Sequence, residues 1–69
     1  MERHAVESES VVSVGYDEGV HELEIEFQGG RVYRYVEVPI AAYRLLLQAP
    51  SIGKYVNTVI KPRFATREV

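Results

Sequence analysis

The chain alternates apolar and polar positions through three stretches and then changes period. VHELEIEF, residues 20–27, is the clearest stretch. His21, Leu23, Ile25 and Phe27 fall on one side of an extended chain, and Glu22, Glu24 and Glu26 on the other. That period of two predicts a strand with one buried face and one wet face. VVSVGYD predicts a strand over 11–16, with Val12, Val14 and Tyr16 on one face. RVYRYVEV, rich in β-branched and aromatic residues, predicts a third strand over 31–38. Asp17-Glu18-Gly19 and Gln28-Gly29-Gly30 are turn signals, and Gly19 is expected to supply a positive φ. Two short connections between three strands predict an antiparallel meander.

After Pro39 the pattern becomes helical. Ala42, Leu45, Leu46 and Ala49 follow i, i+3, i+4, i+7, which predicts a helix over 40–49 with one apolar stripe. Pro39 stops the sheet and Pro50 ends the helix. Ser51 is a suitable N-cap for a second, shorter helix through about Thr58. The basic tail KPRFATREV follows, with Val59, Ile60 and Phe64 expected to fold back onto the core. A sheet with one apolar face needs a cover, so the expected class is α+β. The expected order is β-β-β-α-α, three strands with one or two helices on one face. The polar opening MERHAVESES predicts a flexible segment over residues 1–9, ahead of a single domain over 10–69.

Strand pairing then places the aromatics. Setting Arg34 among Glu22, Glu24 and Glu26 gives opposite-charge cross-strand pairs. The same register sends Tyr33 and Tyr35 to the face of Leu23, Ile25 and Phe27, as core or core-edge residues with hydroxyls at the rim. The other reading of this Tyr-x-Tyr pair is a stacking surface for bases. Val32 and Val36 are left beside the glutamates on the outer face, where a sheet-to-sheet dimer contact is an option, and Val38 falls in the same alternating set.

Composition narrows the choices. At 69 residues, 46% hydrophobic and 26% charged, the chain suits one small globular domain. It has no cysteine, so disulfides and thiolate metal sites are excluded, and His4 and His21 lack a ligand spacing. No stretch approaches a membrane span, and MERHAVESES lacks the apolar segment of a secretory signal; a cytoplasmic location is expected. The net charge of −2 hides an asymmetry. Residues 1–30 carry eight acids and one base, and residues 31–69 carry seven bases and two acids. Either the two halves pair on a mixed surface, or the C-terminal half builds a basic face.

The string GGRVYRYVEVP, followed by APSIGKYVNTVIK, resembles the KTSC domain. That family is named for a domain at the C-terminus of some lysyl-tRNA synthetases and also occurs as small stand-alone bacterial proteins. The resemblance rests on Tyr33-Arg34-Tyr35, on Val38-Pro39, on the spaced set Ala49, Ser51, Gly53, Tyr55 and Asn57, and on Ile60, Lys61, Arg63 and Phe64. It spans about residues 10–69. The synthetase connection implies RNA binding. Val56 stands where the family often has Phe, and Thr66 where it often has a second aromatic. The second change removes a stacking candidate near the basic end.

Candidate chemistry is sparse. Glu22, Glu24 and Glu26 share a strand face and read as solvated carboxylates rather than an acid–base pair. His21 reads as an edge histidine. PSIGKYVN is the best candidate site: Ser51 caps, Gly53 admits a close approach and Lys54 adds charge at a helix start. There, either Ser51, Gly53 and Lys54 hold a phosphate, or Gly53 packs against a neighbour and Tyr55 fills core. The expected function is a small non-catalytic module without cofactor or metal. It binds RNA through Ser51, Gly53, Lys54, Tyr55, Lys61, Arg63, Phe64 and Arg67. The alternative is a protein-interaction or homodimerisation module.

Overall fold

The alternation in residues 22–27 organises the sheet. In the computed structural model, which describes residues 2–69, five strands pair antiparallel in chain order. They are β1 (His4–Ala5), β2 (Val11–Asp17), β3 (Glu22–Phe27), β4 (Val32–Tyr35) and β5 (Thr66–Glu68). Between β4 and β5 lie α1 (Ile40–Gln48) and α2 (Ile52–Tyr55), which runs through a π-helical segment (Val56–Ile60) into α3 (Lys61–Arg63). The class is α+β, with five strands in place of the expected three. The central meander β2–β3–β4 is the expected one. Its register sets Glu24 opposite Arg34, Ile25 opposite Tyr33 and Leu23 opposite Tyr35. The two outer strands extend it at both edges. Of the segment 1–9 expected to be flexible, Met1 lies outside the described residues. His4 pairs with Val14, and the Val6 amide donates to Val12 O at 3.1 Å.

Four details depart from the periodic reading. Gly19 does not carry the positive φ of the first turn; His21 does, at 56°. The turn is held by Asp17 Oδ1 accepting from the Gly19 amide at 2.9 Å, and β3 starts at Glu22. His21 therefore leaves the apolar face and is exposed, its Nδ1 lying 3.3 Å from the Tyr16 hydroxyl. β4 ends at Tyr35 because Glu37 also adopts a positive φ of 56°. That reversal turns Val38 from the outer face into the core, where it is fully buried. In β2 a register shift between Val11 and Ser13 makes Val11, not Val12, the fully buried residue.

The helical cover also differs. On α1 the stripe is centred on Leu46, with Ala42 and Tyr43 packed beside it, and Leu45 is 57% exposed. Tyr43 stacks on Tyr16 with ring centroids 5.0 Å apart. The second helical run is longer than expected and supplies Val56 and Ile60, both fully buried. The core lies between these helices and the face of Val14, Leu23, Ile25 and Tyr35. Each such side chain contributes roughly 1.5–3 kcal/mol by leaving water. Val59 is half-buried and Phe64 packs against the core, as expected of the tail.

Candidate nucleic-acid interface

The hairpin between β3 and β4 builds a site at one end of the sheet. Gly29 and Gly30 adopt φ of 99° and 94°, values that disfavour any side chain. Their turn closes with the Phe27 amide donating to Arg31 O at 2.8 Å, so Phe27 and Arg31 become neighbours. Tyr33 and Tyr35 follow on the core face. Tyr35 is 2% exposed and belongs to the core, whereas Tyr33 is half-buried at its edge. The Phe27 ring meets Tyr33 edge-on, with centroids 5.8 Å apart. Lys61 arrives from α3 and sets its Nζ 5.1 Å from the centre of the Phe27 ring.

Together these residues, with Gln28 and Thr66, line a cleft of about 410 Å3. Among the described residues no carboxylate lines it, although the chain has ten acids and only eight lysines and arginines. The adjacent Tyr33 hydroxyl and the nearby Glu68 carboxylate push the Arg31 guanidinium above its ordinary range. Glu68 stands across the β4–β5 ladder from Tyr33. Burial pushes the Tyr35 phenol above its ordinary range, with Tyr33 adding to the effect and the neighbouring Thr66 hydroxyl opposing it.

The other residues singled out from the sequence are dispersed. Ser51, Gly53 and Lys54 line a separate cleft of about 620 Å3 with Glu7, Ser8, Glu9 and Ser10. Ser51 Oγ accepts from the Lys54 amide at 3.2 Å, which is the expected cap. A Cβ on Gly53 would stand 2.5 Å from Ser10 Oγ, so Gly53 is there to let the N-terminal segment pass. Glu7 and Glu9 set two negative charges in that cleft beside the one positive charge of Lys54. Tyr55 is half-buried and packs against the core. Arg63 and Phe64 line a third cleft with Val36, Glu37 and Ala65. Arg67 turns to the outer sheet face, 3.8 Å from Glu22. Only Lys61, Tyr33 and Tyr35 of the expected set meet in the aromatic cleft. Phe27, Gln28, Arg31 and Thr66 were not foreseen there. The tight FQGGR hairpin signals the first three, and nothing local signals Thr66.

The outer sheet face is occupied by the chain's own ion pairs. Arg34 Nη1 donates to Glu22 Oε1 at 3.2 Å and Nη2 to Glu24 Oε1 at 2.8 Å. Arg3 Nε lies 3.4 Å from Glu24 Oε2. Three of the cations are thus partly neutralised by acids of β3, and Arg31 and Lys61 are not among them.

Residues 7–64 match the family model of the KTSC domain. The chain belongs to the KTSC domain family. A KTSC domain protein of Yersinia pestis has the same fold, with a TM-score of 0.93 and 36% identity over 99% of this chain and 96% of that one. An uncharacterised protein of Stutzerimonas stutzeri is 44% identical over 91% of this chain and 89% of its own length. A lysine–tRNA ligase of Nostoc punctiforme is 36% identical over 84% of this chain, which spans 10% of that enzyme. This KTSC domain therefore resembles both free-standing small proteins and a minor part of a large enzyme.

Proposed function

We propose that this KTSC domain is a non-catalytic module that binds RNA through the cleft between the β3–β4 hairpin and α3. The observation that carries the reading is the coincidence of two aromatic rings, Phe27 and Tyr33, with two cations, Arg31 and Lys61, in a cleft lined by no acid. Aromatic faces stack on bases and cations contact phosphates, and both are needed for single-stranded RNA. The presence of a similar segment in a lysine–tRNA ligase is consistent with this role. The reading shifts the contact surface away from Ser51, Gly53 and Lys54, whose cleft carries Glu7 and Glu9.

The test is fluorescence anisotropy with a labelled single-stranded RNA across a salt series. With two phosphate contacts, the log–log salt slope is expected to be about −1.4. Lys61→Gln should weaken binding and flatten that slope. Binding that is absent at low salt, or unchanged by Lys61→Gln, overturns the reading. In that case, a protein-interaction role would remain, and exposed Leu45 and Leu47 on α1 would be its first surface to probe.

A further inference from the structure

The cleft has features that narrow what part of an RNA it takes. It measures about 410 Å3, near the lower end of the range of roughly 300–1,000 Å3 for small-ligand sites. Tyr33 and Phe27 stand edge to face, so they form a corner and not a flat platform for a run of stacked bases. The cations flank that corner: Lys61 over Phe27, and Arg31 beside Tyr33. Gln28, with an amide that both donates and accepts, lies on the same rim. A paired base offers neither its face nor its pairing edge to such a corner.

We infer that the Phe27–Tyr33 corner takes one unpaired nucleotide, its base against Tyr33 and its phosphate between Arg31 and Lys61. This inference rests on the RNA reading above and gives it a ligand. The shared chemistry is a nucleobase joined to a phosphate, supplied by a free nucleoside monophosphate or by an unpaired position in an RNA strand. Glu68 adds a further feature. It faces Tyr33 across the ladder and lies close enough to Arg31 to stabilise its charge. A phosphate approaching Arg31 therefore competes with a carboxylate already near it. The edge strand β5 thus holds a built-in competitor for the ligand.

Amide NMR titrations of the full chain with UMP, AMP, inorganic phosphate, oligo(U) and a blunt RNA duplex test this. Both nucleotides are expected to shift Phe27, Arg31 and Tyr33, and phosphate alone to shift Arg31 without Tyr33. The duplex is expected to leave Tyr33 unmoved. Tyr33→Leu should weaken UMP about tenfold, on the scale of one lost base stack. Glu68→Gln should tighten it roughly threefold, a gain that a damaged fold does not give. Oligo(U) that binds without shifting Tyr33, with UMP inert, overturns the corner and leaves RNA binding standing. UMP that binds the corner while oligo(U) binds no tighter overturns the RNA reading and leaves a mononucleotide site. A Glu68→Gln variant with unchanged or weaker affinity overturns the competition by β5.

Discussion

Arg34 stands directly across the ladder from Glu24, and its Nη2 donates to Glu24 Oε1 at 2.8 Å. The pair fixes the sidedness of the sheet. A one-residue slip of β4 would carry Arg34 to the apolar side, away from the glutamates, and Tyr35 to water. The guanidinium is held firmly charged, first by this hydrogen bond and then by the one to Glu22, against some desolvation. The charge asymmetry between the two halves of the chain is resolved here by pairing. Arg31 and Lys61 of the aromatic cleft lie outside that network of ion pairs with β3.

The central carboxylate of that network should matter more than an ordinary surface charge. Glu24 is only 8% exposed and meets both Arg34 and Arg3. Glu24→Ala is expected to cost about 1–2 kcal/mol, between the values for exposed and buried pairs. Urea melts of the two single variants and the double variant with Arg34→Met measure the coupling. Strictly additive losses would show that the 2.8 Å contact adds nothing.

The two tyrosines of the Tyr-x-Tyr motif should separate by function. Tyr35→Ala removes a core ring and is expected to cost about 3–4 kcal/mol, enough to unfold much of a chain this small. Tyr33→Leu should keep the thermal midpoint within a few degrees while affecting ligand. Thermal melts by circular dichroism decide this, and equal destabilisation by both would place Tyr33 in the core as well.

Gly15 carries the crossing of the N-terminal segment. A Cβ there would collide with the Glu2 carbonyl oxygen and stand 2.9 Å from Arg3 Cγ. Gly15→Ala should therefore detach β1, with faster hydrogen exchange at Val6, whose amide donates to Val12 O. Protection at the centre of β3 should stay as it was. Unchanged exchange at Val6 would mean that β1 adapts to the methyl group.

Alkali should destabilise the fold through its buried phenols. Burial raises the phenols of Tyr35 and Tyr43 above their ordinary value of 10.0, so the folded state holds those protons more tightly than the unfolded chain. Their contribution is fully present below pH 10.0 and is lost as pH rises through their folded values. Denaturation midpoints across pH 8–12 should fall above the ordinary tyrosine range, and less so in Tyr35→Phe. A midpoint that stays level through that range would contradict the burial of both rings.

Much of the architecture is local in origin and was legible in the residues. The alternation in VHELEIEF specifies β3 and its wet glutamate face, and Arg34 then fixes the register of β4 by charge. Pro39, Pro50 and Ser51 mark the helix boundaries because each acts on its own backbone. The edge strands were not legible. β1 has two residues and β5 three, all exposed, so neither carries a period that could be read. The same holds for the reversal at Glu37, a non-glycine residue at positive φ, which sends Val38 inward.

The sequence alone determined the sheet's polarity, the limits of α1, the start of α2 and the KTSC resemblance, since these rest on spacing and residue type along one stretch. The tertiary structure decided which charges are free and which rings share a cleft. Arg67 and Lys61 look alike in a basic tail, yet one meets Glu22 on the outer face and the other lies over Phe27 on the inner side. Their difference is set by how β5 docks beside β4 and where α3 ends. Both depend on contacts between residues more than thirty positions apart, such as the Thr66 hydroxyl donating to Arg34 O. Periodicity does not reach that far, because such pairings come only from closing the core.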